Sequence, residues 1–143
     1  MSYDECVRRG QLKKIKKDRS LVINTLEMAD EDFEEGKGNI TDGKYVWGMI
    51  QLYTSMLNYS RALMFSDGIR ERSHYCTVEY LRTHYNDELG ISISSIDRMR
   101  RERHISLYDS RKRISSEMAD ERLEWAWEFR EAIMNILNKR AEK

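Results

Sequence analysis

The 143-residue chain contains no proline, and its glycines and serines fall between segments of regular apolar spacing. Proline breaks helices and glycine–serine clusters mark turns, so this pattern is typical of an all-α protein with short connections. Long hydrophobic runs are also absent. No segment approaches the roughly 20 apolar residues that a membrane-spanning helix requires, so we expect no membrane association.

Cysteine is scarce, with only Cys6 and Cys76 in the chain. They form no CxxC motif and have no metal-ligand neighbourhood, and no signal peptide precedes them. We therefore interpret them as two reduced thiols in a cytoplasmic protein. Fingerprints of zinc, P-loop and dinucleotide sites are absent too. The sequence thus predicts neither a bound metal nor a cofactor.

Apolar residues at helical spacing predict one domain over residues 1–143, an up-and-down bundle of about five helices. A short helical piece around residues 3–9 would precede them. The second helix has the widest apolar face, so we expect it to be central. The predicted helices cover residues 12–35, 42–65, 73–86, 94–107 and 115–139.

Residues typical of helix ends support these bounds. Thr41 and Ser73 are candidate N-caps of the second and third helices. Gly36 would stop the first helix, and Asp67 with Gly68 would end the second. Residues 36–43 and 66–73 are the nearest approach to linkers.

Charge is balanced overall and uneven locally. The formal net charge is zero, so the whole molecule has no bulk preference for polyanions. Residues 27–35 carry six acids and no base, whereas residues 97–113 carry seven Lys or Arg against three acids, a net charge of +4. This basic segment would face RNA, an acidic partner or the acidic segment of a second copy; the alternative is an ordinary solvated helix face.

Several motifs together resemble those of HEPN domains, over roughly residues 12–137. In the first half they are Tyr53, Met56, Tyr59, the run Arg61-Ala62-Leu63-Met64, Gly68 and the pair Ser73-His74. In the second half, Arg98 is followed by His104 after five residues, and Tyr108-Asp109 precedes the helix "ISSEMADERLEWAWEF". The resemblance implies the all-α fold of that family.

The resemblance also implies a metal-independent ribonuclease, often the toxin of a toxin–antitoxin pair, that acts as a two-fold dimer. Arg98 and His104 would be the catalytic pair, with Arg100, Arg101 and Arg103 holding RNA phosphates. The residue types suit this chemistry, because histidine transfers protons near neutral pH and arginine grips phosphate oxygens without losing its charge. Met99 departs from the small polar residue that follows the arginine in many active members.

Helical geometry leaves the partner of His104 open. Arg98 and His104 lie about 120° apart around an ideal helix, whereas Arg100 and Arg101 share the histidine's face. The family pattern favours Arg98, with Arg100 in reserve. A helix that ends near His104, or a dimer that joins Arg98 of one chain to His104 of the other, would reconcile the two.

Other interpretations stay open at this point. Tyr108 would either be modified with AMP, as in some HEPN toxins paired with nucleotidyltransferases, or serve packing or hydrogen bonding. The chain as a whole could instead be a non-catalytic helical partner of a minimal nucleotidyltransferase, or bind RNA or nucleotides without turnover. Trp127 cannot face the same core as Trp125, which favours a subunit contact. His74 we interpret as a helix-start residue and His84 as a surface residue.

Overall fold

The computed structural model describes residues 1–108 and 113–141, and within these ranges the chain is all-α apart from one small sheet. Its α-helices and strands, in chain order, are α1 (Tyr3–Arg8), β1 (Leu12–Lys14), α2 (Arg19–Thr41), α3 (Tyr45–Ser66), β2 (Ile69–Glu71), α4 (His74–Leu89), α5 (Ile91–Tyr108) and α6 (Ser116–Ala141). The predicted all-α bundle is therefore confirmed. The five predicted helices correspond to α2–α6, and α1 is the short leading piece.

Helix α3 forms the centre of the bundle. It packs against α2 along its whole length and also contacts α4, α5 and α6. Its buried residues occur on every side of the helix, as expected for a helix surrounded by others. The largest of its fully buried side chains are Tyr53, Tyr59, Leu52, Met56, Leu63 and Met64.

Two glycines allow α2 and α3 to approach closely. A Cβ atom at Gly36 would lie 3.0 Å from Cγ of Leu52, and one at Gly48 would lie 2.5 Å from Cδ1 of Ile40. Gly36 is therefore a buried contact inside α2, and the prediction that it ends the helix is wrong. Its missing side chain makes room for α3, and this tertiary requirement overrides its low helix propensity.

The ends of α2 also differ from the prediction. The helix begins after Asp18, whose carboxylate accepts hydrogen bonds from the backbone N–H groups of Ser20 and Leu21. It continues to Thr41, and the Thr41 hydroxyl donates to the Lys37 carbonyl within α2. Thr41 thus belongs to the last turn of α2 and does not cap α3.

A two-stranded antiparallel sheet was not predicted. It pairs Leu12–Lys14 with Ile69–Glu71 in the register Leu12 to Glu71. Residues 12–14 had been assigned to a helix and residues 69–71 to a linker. Three-residue strands leave too little alternation in the sequence to be recognised, because each needs the other for its hydrogen bonds.

The end of α3 and the start of α4 agree with the prediction. Asp67 is the C-cap of α3, and Gly68 follows with a φ of +76°. The Ser73 side chain accepts a hydrogen bond from the Cys76 backbone N–H and caps α4. Gly90 separates α4 from α5.

Cys6 and Cys76, which are 70 positions apart in sequence, form a disulfide that joins α1 to α4. Both are fully buried. The prediction of two reduced thiols is therefore wrong. Sequence spacing could not reveal the pairing, because it depends on α1 folding back onto the first turn of α4.

Candidate nucleic-acid interface

Residues 97–108 of the basic segment form the second half of α5, and the arginines at 98, 100, 101 and 103 leave this helix in different directions. Arg98 lies on the side that packs near α6. Its Nε is 3.4 Å from Oε2 of Glu102, and its guanidinium carbon is 5.7 Å from the centre of the Trp125 ring. The Arg98 side chain is 60% exposed, so most of its donors face solvent.

Asp97 contacts three arginines, Arg82 of α4 and Arg100 and Arg101 of α5. Its Oδ1 accepts two hydrogen bonds from Arg100, from Nε at 3.1 Å and from Nη2 at 2.9 Å. Its Oδ2 lies 3.3 Å from Nη2 of Arg82 on α4 and 3.6 Å from Nη2 of Arg101. Burial raises the pKa of Asp97, but hydrogen bonding and charge from Arg100, with the charges of Arg82 and Arg101, outweigh it and lower the pKa overall.

These ion pairs divide the arginines by availability. Arg100 is held by Asp97 and lies 5.4 Å from the centre of the Tyr75 ring, with 26% of its side chain exposed. Among the described residues, Arg101 has two long contacts to Asp97, from Nη2 to Oδ2 at 3.6 Å and from Nε to the backbone carbonyl at 3.5 Å, and 64% of its side chain is exposed. Arg98 and Arg101 thus offer more of their side chains to a ligand from solvent than Arg100 does.

Arg103 points toward α3 and α4. Its guanidinium carbon lies 5.8 Å from the centre of the ring of Tyr53, which is buried in α3. Among the described residues, the buried Nε of Arg103 has no hydrogen-bond partner. Arg103 therefore lies next to Tyr53 of α3, whereas Arg98 lies next to Trp125 of α6.

His74, the first residue of α4, lies beside Tyr53 of α3. The Tyr53 hydroxyl lies 3.0 Å from Nδ1 of His74, and the ring centres are 5.8 Å apart. Burial lowers the pKa of His74, and the charges of Arg61, Arg103 and Arg100 lower it further, against an opposing effect of Glu71. Burial also raises the pKa of Tyr53 to about 12.

Arg61 completes the surroundings of His74. It lies two helical turns after Tyr53 on α3, and its Nε is 2.5 Å from Oε1 of Glu71. Its Nη1 also donates to Oδ1 of Asn58 at 3.2 Å. One of the two carboxylate oxygens of Glu71 is therefore paired; the other is buried and has no hydrogen-bond partner in the described part of the chain.

His104 lies in α5, which continues without interruption to Tyr108. A helix ending near His104 was one way to bring this residue and Arg98 together, and that expectation is wrong. On a continuous helix their positions stay about 120° apart. The side chains of residues 104–108 lie outside the described part of the structure. These residues include His104, which was predicted to be catalytic, and Tyr108, the candidate for modification.

The sequence-based site and the structure thus overlap in part. The structure brings Arg100 and Arg103 near His74 and separates them from Arg98. The structure also groups Tyr53, His74 and Arg61 with Arg103. The sequence predicts Tyr53 as a core residue, His74 as a helix-start residue and Arg61 as part of a family motif. The one sequence signal was the spacing of Tyr53 and Arg61, which are eight residues apart and so share a helix face.

Among the side chains that the structure describes, in residues 1–103 and 113–141, no group of three or more His, Cys, Asp or Glu is placed to hold a metal ion. In the same ranges no helix combines the length and apolar character needed to cross a bilayer.

The fold and this surface define a helical-bundle domain whose basic helix presents guanidinium groups both to solvent and to the buried Tyr53 ring. The sequence model of the HEPN domain matches residues 24–137, most of the chain. The chain therefore belongs to the HEPN domain family, as its motifs predicted. This is a family of nucleotide-binding and ribonuclease-type domains whose members often form dimers. No match was found among curated proteins.

Proposed function

We propose that this protein is a metal-independent endoribonuclease, the toxin of a toxin–antitoxin pair, which acts as a homodimer in the cytoplasm. Arg98 and His104 would be its catalytic residues, and Arg100, Arg101 and Arg103 would bind RNA phosphates. The observation that carries the proposal is the exposure of Arg98, which lies six residues before His104 on the uninterrupted helix α5 of a HEPN domain.

The chemistry requires proton transfer and charge stabilisation. A neutral histidine accepts the proton of the ribose 2′-hydroxyl, and the 2′-oxygen attacks the adjacent phosphorus. The 5′-oxygen leaves and takes a proton from a second acid, which a second His104 would supply in a dimer. Arg98 would stabilise the additional negative charge on the phosphorane oxygens.

The position of Arg98 relative to His104 favours a shared site. Because their positions lie about 120° apart around one helix, we expect that a single chain would not present both residues to the same phosphate. A two-fold dimer would pair Arg98 of one protomer with His104 of the other. Trp127 supports a dimer as well, because it is 50% exposed on α6 and a large exposed aromatic suits a subunit contact.

The same separation favours a second candidate function. A chain whose arginine and histidine do not converge would serve as a non-catalytic HEPN module that binds nucleotides and partners a nucleotidyltransferase antitoxin. In that arrangement Tyr108 would be a candidate for modification with AMP, or would contribute only packing. This candidate predicts a stable complex with the partner and no RNA cleavage.

RNA cleavage in the presence of EDTA tests the proposal. We expect Arg98→Ala and His104→Ala each to lower the single-turnover rate by about 100-fold or more, the scale of a lost general acid–base or electrostatic contribution. Arg8→Ala is the matched control, because Arg8 is exposed at the end of α1, away from α5. Equal cleavage by all four proteins would indicate a contaminating nuclease and contradict the proposal.

Mixing the two inactive variants tests the shared site. A mixed dimer would bring the intact Arg98 of one protomer to the intact His104 of the other, but it would lack the second His104. Random reassociation makes half of the dimers mixed, and without the second histidine as acid we expect them to recover part of the cleavage, less than a quarter of the wild-type rate. No recovery, with mixed dimers present, would contradict pairing between protomers.

A further inference from the structure

An open groove lies between the start of α2, the end of α3 and the end of α6. Its volume is about 550 Å³, within the range of roughly 300–1,000 Å³ that ligand-binding clefts occupy. The proposed ribonuclease uses none of the residues that line it. Six of these residues are apolar, and none of the six is fully buried: Val22, Ile23, Leu26, Phe65, Met134 and Leu137.

Ile23 shows how much apolar surface the groove leaves in water. This residue is 45% exposed, and its neighbours Val22 and Leu26 on α2 are partly exposed. Single exposed apolar residues are common, but here they are contiguous with apolar residues of α3 and α6. A contiguous apolar surface that stays exposed in a folded chain marks a site of interaction.

The rim of the groove is basic. Lys17 and Arg19 flank the start of α2, and Arg140 lies in the last turn of α6. Among the described residues that line the groove, Asp18 is the only acid, and its carboxylate accepts backbone hydrogen bonds from the first turn of α2. Three cations and one carboxylate give the lining a net charge of +2.

A run of basic residues leads into this rim. Residues 13–19, with the sequence KKIKKDR, carry five Lys or Arg against one acid, a net charge of +4. All five basic residues are exposed. The backbone N–H of Ile15 donates to the Gly68 carbonyl at 2.9 Å, which holds the run beside the end of α3. The positive charge is therefore fixed at the mouth of the groove.

Arg140 is held in place on the other side of the rim. Its Nη1 donates to Oδ1 of Asp67 at 2.8 Å and to Oγ of Ser66 at 3.0 Å, and 40% of its side chain is exposed. Because Asp67 offsets its charge, Lys17 and Arg19 supply most of the positive potential at the groove.

These features favour an acidic amphipathic helix as the occupant. A helix of this kind places apolar side chains in an apolar groove, and its acidic side chains match a basic rim. RNA is disfavoured because its bases stack on aromatic rings, and Phe65 is the only aromatic residue among the described lining residues. A bilayer is disfavoured because it takes up protruding apolar side chains, whereas these lie in a recess between helices.

We propose that the groove between α2, α3 and α6 binds an amphipathic helix of a partner protein. Apolar side chains of that helix contact Ile23 and Leu26, and its Asp or Glu side chains face Lys17 and Arg19. The interaction does not depend on the proposed ribonuclease, because it uses neither Arg98 nor His104.

Fluorescence anisotropy with a labelled peptide tests the groove on the full-length protein. The probe is a synthetic helix of about four turns, with leucines on one face and glutamates on the other. A peptide of the same composition in scrambled order has no apolar face, and we expect it to bind at least about tenfold more weakly. Equal binding of the two peptides, or binding of neither, would overturn the proposal.

Substitution of Ile23 tests the apolar floor. Ile23→Asn should weaken peptide binding by about tenfold, because it removes apolar surface from the contact. The matched control is Ile91→Asn, at a position that is 80% exposed at the start of α5. The control should bind with wild-type affinity. An Ile23→Asn protein that binds the peptide as tightly as the control contradicts the assignment of this floor.

Charge reversal tests the rim. Lys17→Glu/Arg19→Glu should weaken binding by about tenfold or more, because the glutamates of the peptide then meet like charges. Lys37→Glu/Lys44→Glu makes the same change in net charge at exposed positions near the opposite end of α2, and it should have little effect. Equal losses from the two double variants would show a non-specific charge effect and remove the proposal.

Methyl signals in NMR spectra locate the bound peptide. The peptide should shift the methyl signals of Ile23 and leave those of Ile91 in place. Shifts at Ile91 without shifts at Ile23 would place the peptide elsewhere and refute the site. Arg98→Ala, which should abolish RNA cleavage, should still bind the peptide, so the two proposals fail separately.

Three other occupants are outcomes of the same experiments. Vesicles that contain phosphatidylserine, or a single-stranded RNA, would be assigned to the groove if they displace the peptide and lose their own binding in Ile23→Asn. A second copy of the chain would be assigned to it if Ile23→Asn abolishes self-association in sedimentation experiments. Each of these three results would overturn the proposal of a partner helix.

Discussion

Arg122 of α6 donates to both carboxylate oxygens of Glu102 on α5, from Nε at 2.8 Å and from Nη2 at 2.6 Å. The Arg122 side chain is only 3% exposed, and it also contacts Glu121 and the Trp125 ring. This pair joins the last helix to the basic helix just beside Arg98. It therefore sets the position of the Arg98 surface relative to α6.

Removing Arg122 should destabilise the fold. Arg122→Met would leave Glu102 without its buried partner, and we expect a loss of about 3 kcal/mol in the free energy of unfolding, measured by urea denaturation. Arg98→Ala removes the exposed partner of the same carboxylate and should cost at most about 1 kcal/mol. The double variant Arg122→Met/Glu102→Gln should recover part of the loss, because no unpaired carboxylate remains. Equal losses from Arg122→Met and Arg98→Ala would contradict this role.

Asp97 should make stability depend on pH in the acid range. Its pKa is lower in the folded protein than its ordinary value of 3.8, so the unfolded chain binds protons first as pH falls. The stabilisation is complete above about pH 4 and is lost as pH falls through the lower, folded-state pKa. Asp97→Asn should lower stability at pH 7 and reduce the difference between pH 7 and pH 3 in urea midpoints.

The control for this prediction is Asp120→Asn, at an exposed position near the start of α6. We expect the Asp120 variant to keep the wild-type difference between the two pH values. If the Asp97 variant keeps it as well, the arginines around Asp97 do not stabilise its charged form.

The disulfide should contribute measurably to stability. Closing a loop between Cys6 and Cys76 restricts the unfolded chain, and for a separation of 70 residues the chain-entropy relation gives about 4 kcal/mol. We expect reduction of the wild-type protein to lower its unfolding free energy by an amount of this order, measured by urea denaturation with and without reductant.

The double variant Cys6→Ser/Cys76→Ser is the control, and it should unfold alike in both conditions. Thiol titration in denaturant should detect no free thiol in the oxidised protein. Two titratable thiols, with no effect of reductant on wild-type stability, would instead support the interpretation of reduced cysteines.

Most of the helical architecture could be predicted from the sequence, because helix periodicity and capping are local. Ser73 caps α4, and Asp67 with Gly68 ends α3, where their side-chain chemistry indicated. Gly36 shows the limit of such reasoning. Glycine is typical of a helix end, and only the close approach of Leu52 explains why it lies inside α2.

The candidate site also has features that the sequence could predict and features that it could not. The run of arginines, the membership of the HEPN family and the placement of these residues on one helix could be predicted from motifs. The partners of each arginine could not. Asp97 holds Arg100, and Arg103 turns toward Tyr53, but an unfolded sequence contains no signal for either choice.

Local chemistry therefore accounted for which segments are helical and which residues are basic, since both depend on neighbours within a few positions along the chain. The tertiary structure decided which arginines stay in solvent, that His74 lies within hydrogen-bond distance of the Tyr53 hydroxyl, and that Cys6 reaches Cys76. These features join residues 21 and 70 positions apart. They depend on how the helices pack, and packing is the sum of many contacts that no short motif encodes.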